Sequence, residues 1–240
     1  MVYLSVVIPA YNEEKRILPT LKSVTDFLKE QNYQSEVIVV DDGSRDGTIK
    51  AVSSFEAGSG KLDVKMIRNN QNHGKGYVVR KGVLAAEGQC VLFMDADNST
   101  KISQIKKLLP FIKEFPVVIG SRYLQAGSIK IKQPLTRRIL SRIGNLLIRI
   151  ILGLNFVDTQ CGFKLLEQKA GKKIFDKMTL DRWGFDFEML ALAKKYHFPA
   201  KEVAVDWYDD KKSQFKFSQM FRTLGELVKI RMNLWNGKYN

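Results

Sequence analysis

Short apolar runs alternating with helical spacing constrain this chain more than any other feature. Tyr3–Ile8 is an apolar run that Pro9 is expected to stop, and Glu13–Lys29 has helical spacing at Ile17, Leu21, Val24 and Leu28. Val37–Val40 is a β-branched run ending in Asp41-Asp42-Gly43-Ser44, with Asp46 placed to cap a short helix. Leu62–Ile67 reads as a third strand, Gly76–Ala86 as a helix and Cys90–Met94 as a fourth strand. Ile102–Phe115 follows as a helix and Pro116–Ile119 as a fifth strand. Uninterrupted apolar strands alternating with helices imply βαβ units and a buried sheet. The expected fold class is therefore α/β, with a mostly parallel central sheet flanked by helices.

The second half reads differently. From Gly120 to Val157 there is no acidic residue, but there are seven basic ones: Arg122, Lys130, Lys132, Arg137, Arg138, Arg142 and Arg149. Leu135, Ile139, Ile143, Leu147 and Ile150 recur there at helical spacing, so residues 129–152 form a basic amphipathic segment. A turn-like Asp158–Gly162, a helix near Gly184–Tyr196 and a strand near Lys201–Tyr208 follow. Phe215–Trp235 is a second basic amphipathic stretch, with Phe217, Phe221, Leu224, Val228 and Trp235. These features divide the chain into a domain over 1–210 and a helical tail over 211–240.

Net charge is +14, which calls for an anionic partner: nucleic acid, membrane surface or phosphorylated substrate. No helix-turn-helix, zinc-finger or RNP motif is legible, so nucleic acid is not the expected partner. Cys90 and Cys161 form neither a CxxC pair nor a disulfide framework, and His73 and His197 do not make a His-rich zinc site. Met1 leads straight into a strand-like run, and no apolar stretch reaches the roughly 20 residues that span a bilayer. The expected location is cytoplasmic, soluble or peripheral at the membrane face.

In an open α/β sheet, ligands sit beyond the carboxyl ends of the strands. Three strands deliver polar clusters there: Pro9-Ala10-Tyr11-Asn12-Glu13, Asp41-Asp42-Gly43-Ser44 and Asp95-Ala96-Asp97. Two nearby carboxylates repel unless a cation lies between them, and Mg²⁺ or Mn²⁺ combines such carboxylates with substrate phosphates. Alone, Asp95 and Asp97 could be a surface turn with two solvated acids. Asp41 and Asp42 could bind a nucleoside or cap the next helix. His73-Gly74-Lys75-Gly76 opens a helix, where glycines let backbone approach a phosphate. It completes neither a Walker A loop nor GxGxxG, and a plain helix start is the bland reading.

Taken in order, Val7–Glu13, Val40–Ser44, Gly74-Lys75-Gly76, Asp95-Ala96-Asp97 and Gly120-Ser121-Arg122 resemble the motif series of family 2 glycosyltransferases of the GT-A fold. Asp158–Lys164 and Arg182–Glu188 further resemble the dolichyl-phosphate β-glucosyltransferase group of polyprenyl-phosphate glycosyltransferases. The resemblance implies a GT-A nucleotide-diphospho-sugar transferase fold and inverting transfer of glucose from UDP-glucose to a polyprenyl or dolichyl phosphate. Pro9, Ala10, Tyr11, Glu13, Asp41, Asp42, Lys75, Asp95, Ala96 and Asp97 would then form the nucleotide-sugar site, with Asp95 and Asp97 on Mg²⁺ or Mn²⁺. Asp97, Arg122, Arg138 and Asp158 would carry catalysis, and Arg122, Arg138, Gln160 and Lys164 would meet acceptor or sugar. Residues 129–152 would contact the membrane peripherally.

The related mannose synthases carry Gln and His after the second metal aspartate, where this chain has Asn98, Ser99 and Thr100. That departure argues against GDP-mannose as donor and leaves a third metal ligand open. A soluble hydroxyl acceptor would need a carboxylate base beside it. Asp186 and Glu188 could be that base or structural groups, or ion-paired helix residues.

Overall fold

The computed structural model describes residues 1–58, 62–129, 135–208 and 217–240, and for residues 57–58, 135–141 and 217–222 the backbone course alone. Strand β1 (Leu4–Ala10), helix α1 (Ile17–Lys29), β2 (Ser35–Asp41), α2 (Thr48–Gly58), β3 (Asp63–Arg68), α3 (Lys75–Ala85) and β4 (Cys90–Met94) alternate as expected. The four-residue α4 (Ile105–Leu108), β5 (Val117–Ser121), α5 (Leu135–Leu152), β6 (Phe163–Glu167), α6 (Gln168–Lys177), α7 (Phe185–Lys195), β7 (Ala200–Ala204) and α8 (Phe217–Trp235) complete the order.

Among the described residues seven strands form one sheet, ordered β3-β2-β1-β4-β6-β5-β7. All neighbours are parallel except β6, which is antiparallel to both β4 and β5. Successive strand residues face opposite sides. Val7, Ile38, Val40, Val91 and Phe93 enter one core, with α3, α6 and α7. Val6, Ile8, Val37, Val39 and Leu92 enter the other, with α1. Both sheet faces are covered, which is why the strands read as continuous apolar runs.

Four expectations need correction. Pro9 does not stop β1, which runs on to Ala10 and pairs Pro9 with Val40. Pairing with β4 ends at Val7↔Phe93, so Pro9 lies where the strand keeps a single neighbour and its missing N–H is tolerated. The helix expected over Ile102–Phe115 is broken into a 3-10 turn, α4 and a second 3-10 turn at Leu109–Phe111, because Pro110 interrupts the helical ladder. Strand β7 ends at Ala204, short of Tyr208. Strand β6 and helix α6, both unforeseen, occupy residues 163–177.

Helices α5 and α8 pack against each other. Ile148 and Leu152 of α5, and Leu227 and Ile230 of α8, are buried in the α3/α7 core. The opposite sides present Ile143, Leu146 and Ile150 on α5, and Val228, Met232 and Trp235 on α8, all exposed. The side chains of Leu135, Ile139, Phe217 and Phe221, and the 210/211 boundary, lie outside what is described. Among the described residues, no helix is long and apolar enough to cross a membrane.

Candidate active site

The carboxyl ends of β1, β2 and β4 open onto a cavity of about 500 Å³. Pro9, Ala10, Tyr11, Glu13, Asp42, Lys75, Asp95, Ala96 and Asp97 all line it. Sequence-expected residues from three strands and the start of α3 therefore meet at one place. Arg16, Asn72, Val78, Arg182 and Trp183 line it as well; no site role was expected of them, although Arg182 and Trp183 open the Arg182–Glu188 motif. That motif was their sequence signal, and the structure leaves Trp183 half-exposed just before α7.

Each wall has a local cause. Asp41 is buried at the end of β2, and its Oδ2 accepts hydrogen bonds from the Gly43 and Ser44 N–H groups, shaping the turn. Asp42 accepts from the N–H groups of His73 and Gly74 at 2.9 and 2.8 Å, so it anchors the loop that leads into α3. Gly74 has φ +110°, a conformation L side chains rarely adopt. Glu13 is held by Arg16 through two bonds of 2.5 and 2.8 Å. Burial, outweighing that pairing with help from Asp97 and Asp95, raises the Glu13 carboxyl above its ordinary range.

The Asp95-Ala96-Asp97 turn is pinned on two sides. The Asp95 N–H donates to the Gly162 carbonyl at 3.1 Å, and the Thr20 hydroxyl donates to the Ala96 carbonyl at 2.7 Å. Gly162 leaves space that the Asp95 carboxylate fills; a Cβ there would overlap it. Burial and then the neighbouring Asp95 charge push the Asp97 carboxyl up, although the Ser99 N–H donates to it at 2.9 Å. Asp95 Oδ1 is buried and takes no well-formed hydrogen bond; Lys75 Nζ, 2.5 Å away, is its counter-charge. Asn98 Oδ1 and Ser99 Oγ are also buried without a hydrogen-bond partner.

Crowded carboxylates and uncompensated oxygens within five residues fit an oxygen-seeking divalent cation. Among the described residues no third His, Cys, Asp or Glu completes a protein-only cage. A cation there would draw further ligands from a bound substrate, as Mg²⁺ and Mn²⁺ do with phosphates.

A second acidic centre lies behind the first. Asp158 is fully buried, and its carboxylate receives the Arg122 backbone N–H at 3.0 Å, Nε at 2.7 Å and Nη2 at 2.9 Å. Burial opposes both charges, yet the pairing prevails: Arg122 is held well above its ordinary value and Asp158 below. Glu202 on β7 positions this centre by accepting from the Val157 and Asp158 N–H groups at 2.8 and 2.7 Å. Gln160 is half-buried beside it, its N–H donating to Asp158. The Arg138 side chain lies outside what is described.

Lys164 was expected to face sugar or acceptor. It is instead completely buried in β6, where its amine pairs with Asp186 and donates to the Cys161 carbonyl at 2.7 Å. Among the described residues Glu188 has no ion-pair partner. Its oxygens accept from the Thr179 N–H and hydroxyl, the Leu180 N–H and the Tyr239 hydroxyl, at 2.7–2.9 Å. Four donors make it a structural acceptor that fixes residues 179–180 beneath the cavity wall.

A mostly parallel sheet with paired acids and a glycine-flanked lysine at its carboxyl rim is the arrangement of a nucleotide-sugar transferase. The sequence model of Glycosyl transferase family 2 matches residues 5–175, and the chain belongs to that family. It is 36% identical to the dolichyl-phosphate beta-glucosyltransferase of Trichomonas vaginalis, over 98% of this chain and 76% of the relative. The human protein of the same name is 32% identical, over 98% and 77%. Among solved structures, glucosyl-3-phosphoglycerate synthase from Mycobacterium tuberculosis, in complex with Mn²⁺, UDP-glucose and phosphoglyceric acid, superposes with a TM-score of 0.69. The match covers 96% of this chain and 80% of that one at 16% identity, which bears on the fold alone.

Proposed function

We propose that this glycosyltransferase moves glucose from UDP-glucose to a polyprenyl phosphate of the dolichyl type, with inversion, giving a β-linked lipid-phosphate glucose. The observation that carries the reading is the crowded Asp95/Asp97 pair, with Lys75, at the floor of the rim cavity. Dolichyl-phosphate beta-glucosyltransferases as similar as 36% support the sugar and the acceptor. Pro9, Ala10, Tyr11, Glu13 and Asp42 hold the nucleoside side of the donor, while Asp41, expected there too, is buried and shapes the turn behind them. Asp95 and Asp97 would hold Mg²⁺ or Mn²⁺, which would supply charge neutralisation for a diphosphate leaving group.

A phosphate monoester is already anionic at neutral pH, its second pKa being about 6. Orientation and electrostatics then replace a strong general base. Arg122, oriented by Asp158, and Arg138 take the acceptor phosphate, for which a guanidinium offers paired donors. Gln160 lines the sugar side, and Lys164 holds Asp186 and the Cys161 carbonyl in place without reaching a substrate. Residues 1–210 carry the catalytic unit. Within it α5, together with α8 of the 211–240 tail, rests peripherally on the cytoplasmic membrane face. The exposed stripes Ile143/Leu146/Ile150 and Val228/Met232/Trp235, flanked by Arg142, Arg149, Lys229 and Arg231, favour an anionic bilayer surface.

The test is transfer of labelled glucose from UDP-glucose, against GDP-mannose, to polyprenyl phosphate in detergent with Mg²⁺ or Mn²⁺. Lipid label from UDP-glucose, lost in Asp97→Ala, is the expected outcome. Label from GDP-mannose alone would correct the donor. Nucleotide binding with no lipid label from either donor would reject the acceptor.

A further inference from the structure

Lys75 and a divalent cation require the same carboxylate. The Lys75 ammonium is 2.5 Å from Asp95 Oδ1, with its side chain only one-fifth exposed. A cation on Asp95 would sit within a few ångströms of this ammonium, where like charges repel strongly in a partly dehydrated site. The two therefore exclude each other unless the ammonium moves away or gains another anion.

The backbone cannot supply that movement. A Cβ at Gly74 would lie 2.5 Å from the Asp181 carbonyl oxygen, and one at Gly76 would lie 2.6 Å from that of Leu180. The Gly76 and Tyr77 N–H groups donate to the Arg182 and Asp181 carbonyls at 3.2 and 3.0 Å. The start of α3 is thus packed tightly on residues 180–182, and only the Lys75 side-chain torsions remain free. Among the described residues the site offers the ammonium no spare carboxylate: Asp97, whose charge also acts on it, is the other proposed metal ligand. Asp186, the next acid whose charge acts on it, is committed to Lys164. Nearby lie the rings of Trp183 and Phe185, 5.6 and 5.9 Å from Nζ, which attract a cation but cannot neutralise it.

We propose that Lys75 is an internal counter-ion competing with the divalent cation for Asp95, and that it yields when a donor diphosphate supplies its second anion, so that metal and donor bind with positive coupling. This rests on the donor-and-metal reading of the cavity given above. Charge count gives the same result. Two carboxylates and one ammonium leave one negative charge, a divalent cation turns that into one positive, and the surplus is met by the diphosphate.

The experiment is titration of the full chain with Mn²⁺, read by the electron paramagnetic resonance signal of free Mn²⁺, with and without UDP. For the wild type, Mn²⁺ alone binds weakly and UDP tightens it roughly tenfold or more, the usual scale of linked sites. Lys75→Met and Lys75→Gln, either of which suffices if it unfolds thermally like the wild type, bind Mn²⁺ alone about tenfold tighter and lose most of the coupling to UDP. Lys75→Arg, which keeps the charge, retains weak binding of Mn²⁺ alone. Unchanged or weaker Mn²⁺ binding in both neutral variants, with coupling intact, overturns the competition and leaves the donor reading standing. Failure of the wild type to bind Mn²⁺ even with UDP overturns both.

Discussion

Asp97, at the rim of the sheet, and Asp158, a few residues from β6, are both acids set near a basic side chain, yet their environments push them in opposite directions. Asp158 is enclosed and receives three donors from Arg122, and its carboxyl is held below the ordinary range. Asp97 is crowded by Asp95 under partial burial, and its carboxyl is raised. One centre is internally satisfied and can bear structural load. The other is under-compensated and gains from a cation brought in from outside. Perturbed acids of the second kind mark functional sites more reliably than satisfied pairs do.

Asp158→Asn tests this contrast hardest. It leaves Arg122 without its charged partner, and the expected loss is about 3–5 kcal/mol in urea unfolding. A loss under about 1 kcal/mol would show that the pair does not hold residues 121–158 together. Asp97→Ala should cost activity without costing stability: a hundredfold to thousandfold drop in glucose transfer, about 3–4 kcal/mol, with the unfolding midpoint unchanged or raised. Matching losses of stability and activity in this variant would erase the distinction between the two centres.

Glu188→Gln comes next, at about 1–3 kcal/mol, because an amide NH₂ replaces an acceptor facing the Leu180 or Thr179 donors. Tyr239→Phe should cost about 1 kcal/mol through the same group. The smallest effect is on pH. The folded chain takes up protons on Asp97 and Glu13 before the unfolded chain does, so stability should rise as pH falls from 7 towards the ordinary carboxylate range. Below that range the depressed Asp158 carboxyl reverses the trend, and stability is lost as pH falls through its folded value. Thermal midpoints across pH 7 to 3 would show a maximum, with Asp97→Asn flattening its upper side and Asp158→Asn its lower side. A monotonic fall in the wild type would contradict the raised Asp97.

The sequence foretold the rim better than the interior. β1, β2 and β4 were legible because each is a short apolar run released into a polar cluster at a turn, which is where the cavity formed. β6 was not, because Lys164 interrupts Phe163-Lys164-Leu165-Leu166 with a charge. Its partner Asp186 is 22 residues away and belongs to another element. α6 was hidden by its lysines: only Ala170, Gly171, Ile174 and Phe175 turn inward. Arg122 and Asp158 were both identified, but their bond, and the Glu202 carboxylate behind it, depend on tertiary contacts that no local pattern encodes.

The reversed strand has a consequence for how the chain is made. β4 and β5 do not pair with each other; β6, between them, is the neighbour of both. During synthesis β3, β2, β1 and β4 can assemble as soon as Met94 has emerged. β5 waits with an open edge until residues 163–167 arrive, and the Asp95 turn waits with it for the Gly162 carbonyl. Long-range pairing of this kind is slow and leaves an unprotected strand edge. A nascent chain stalled between residues 121 and 163 would therefore be the species most in need of a chaperone.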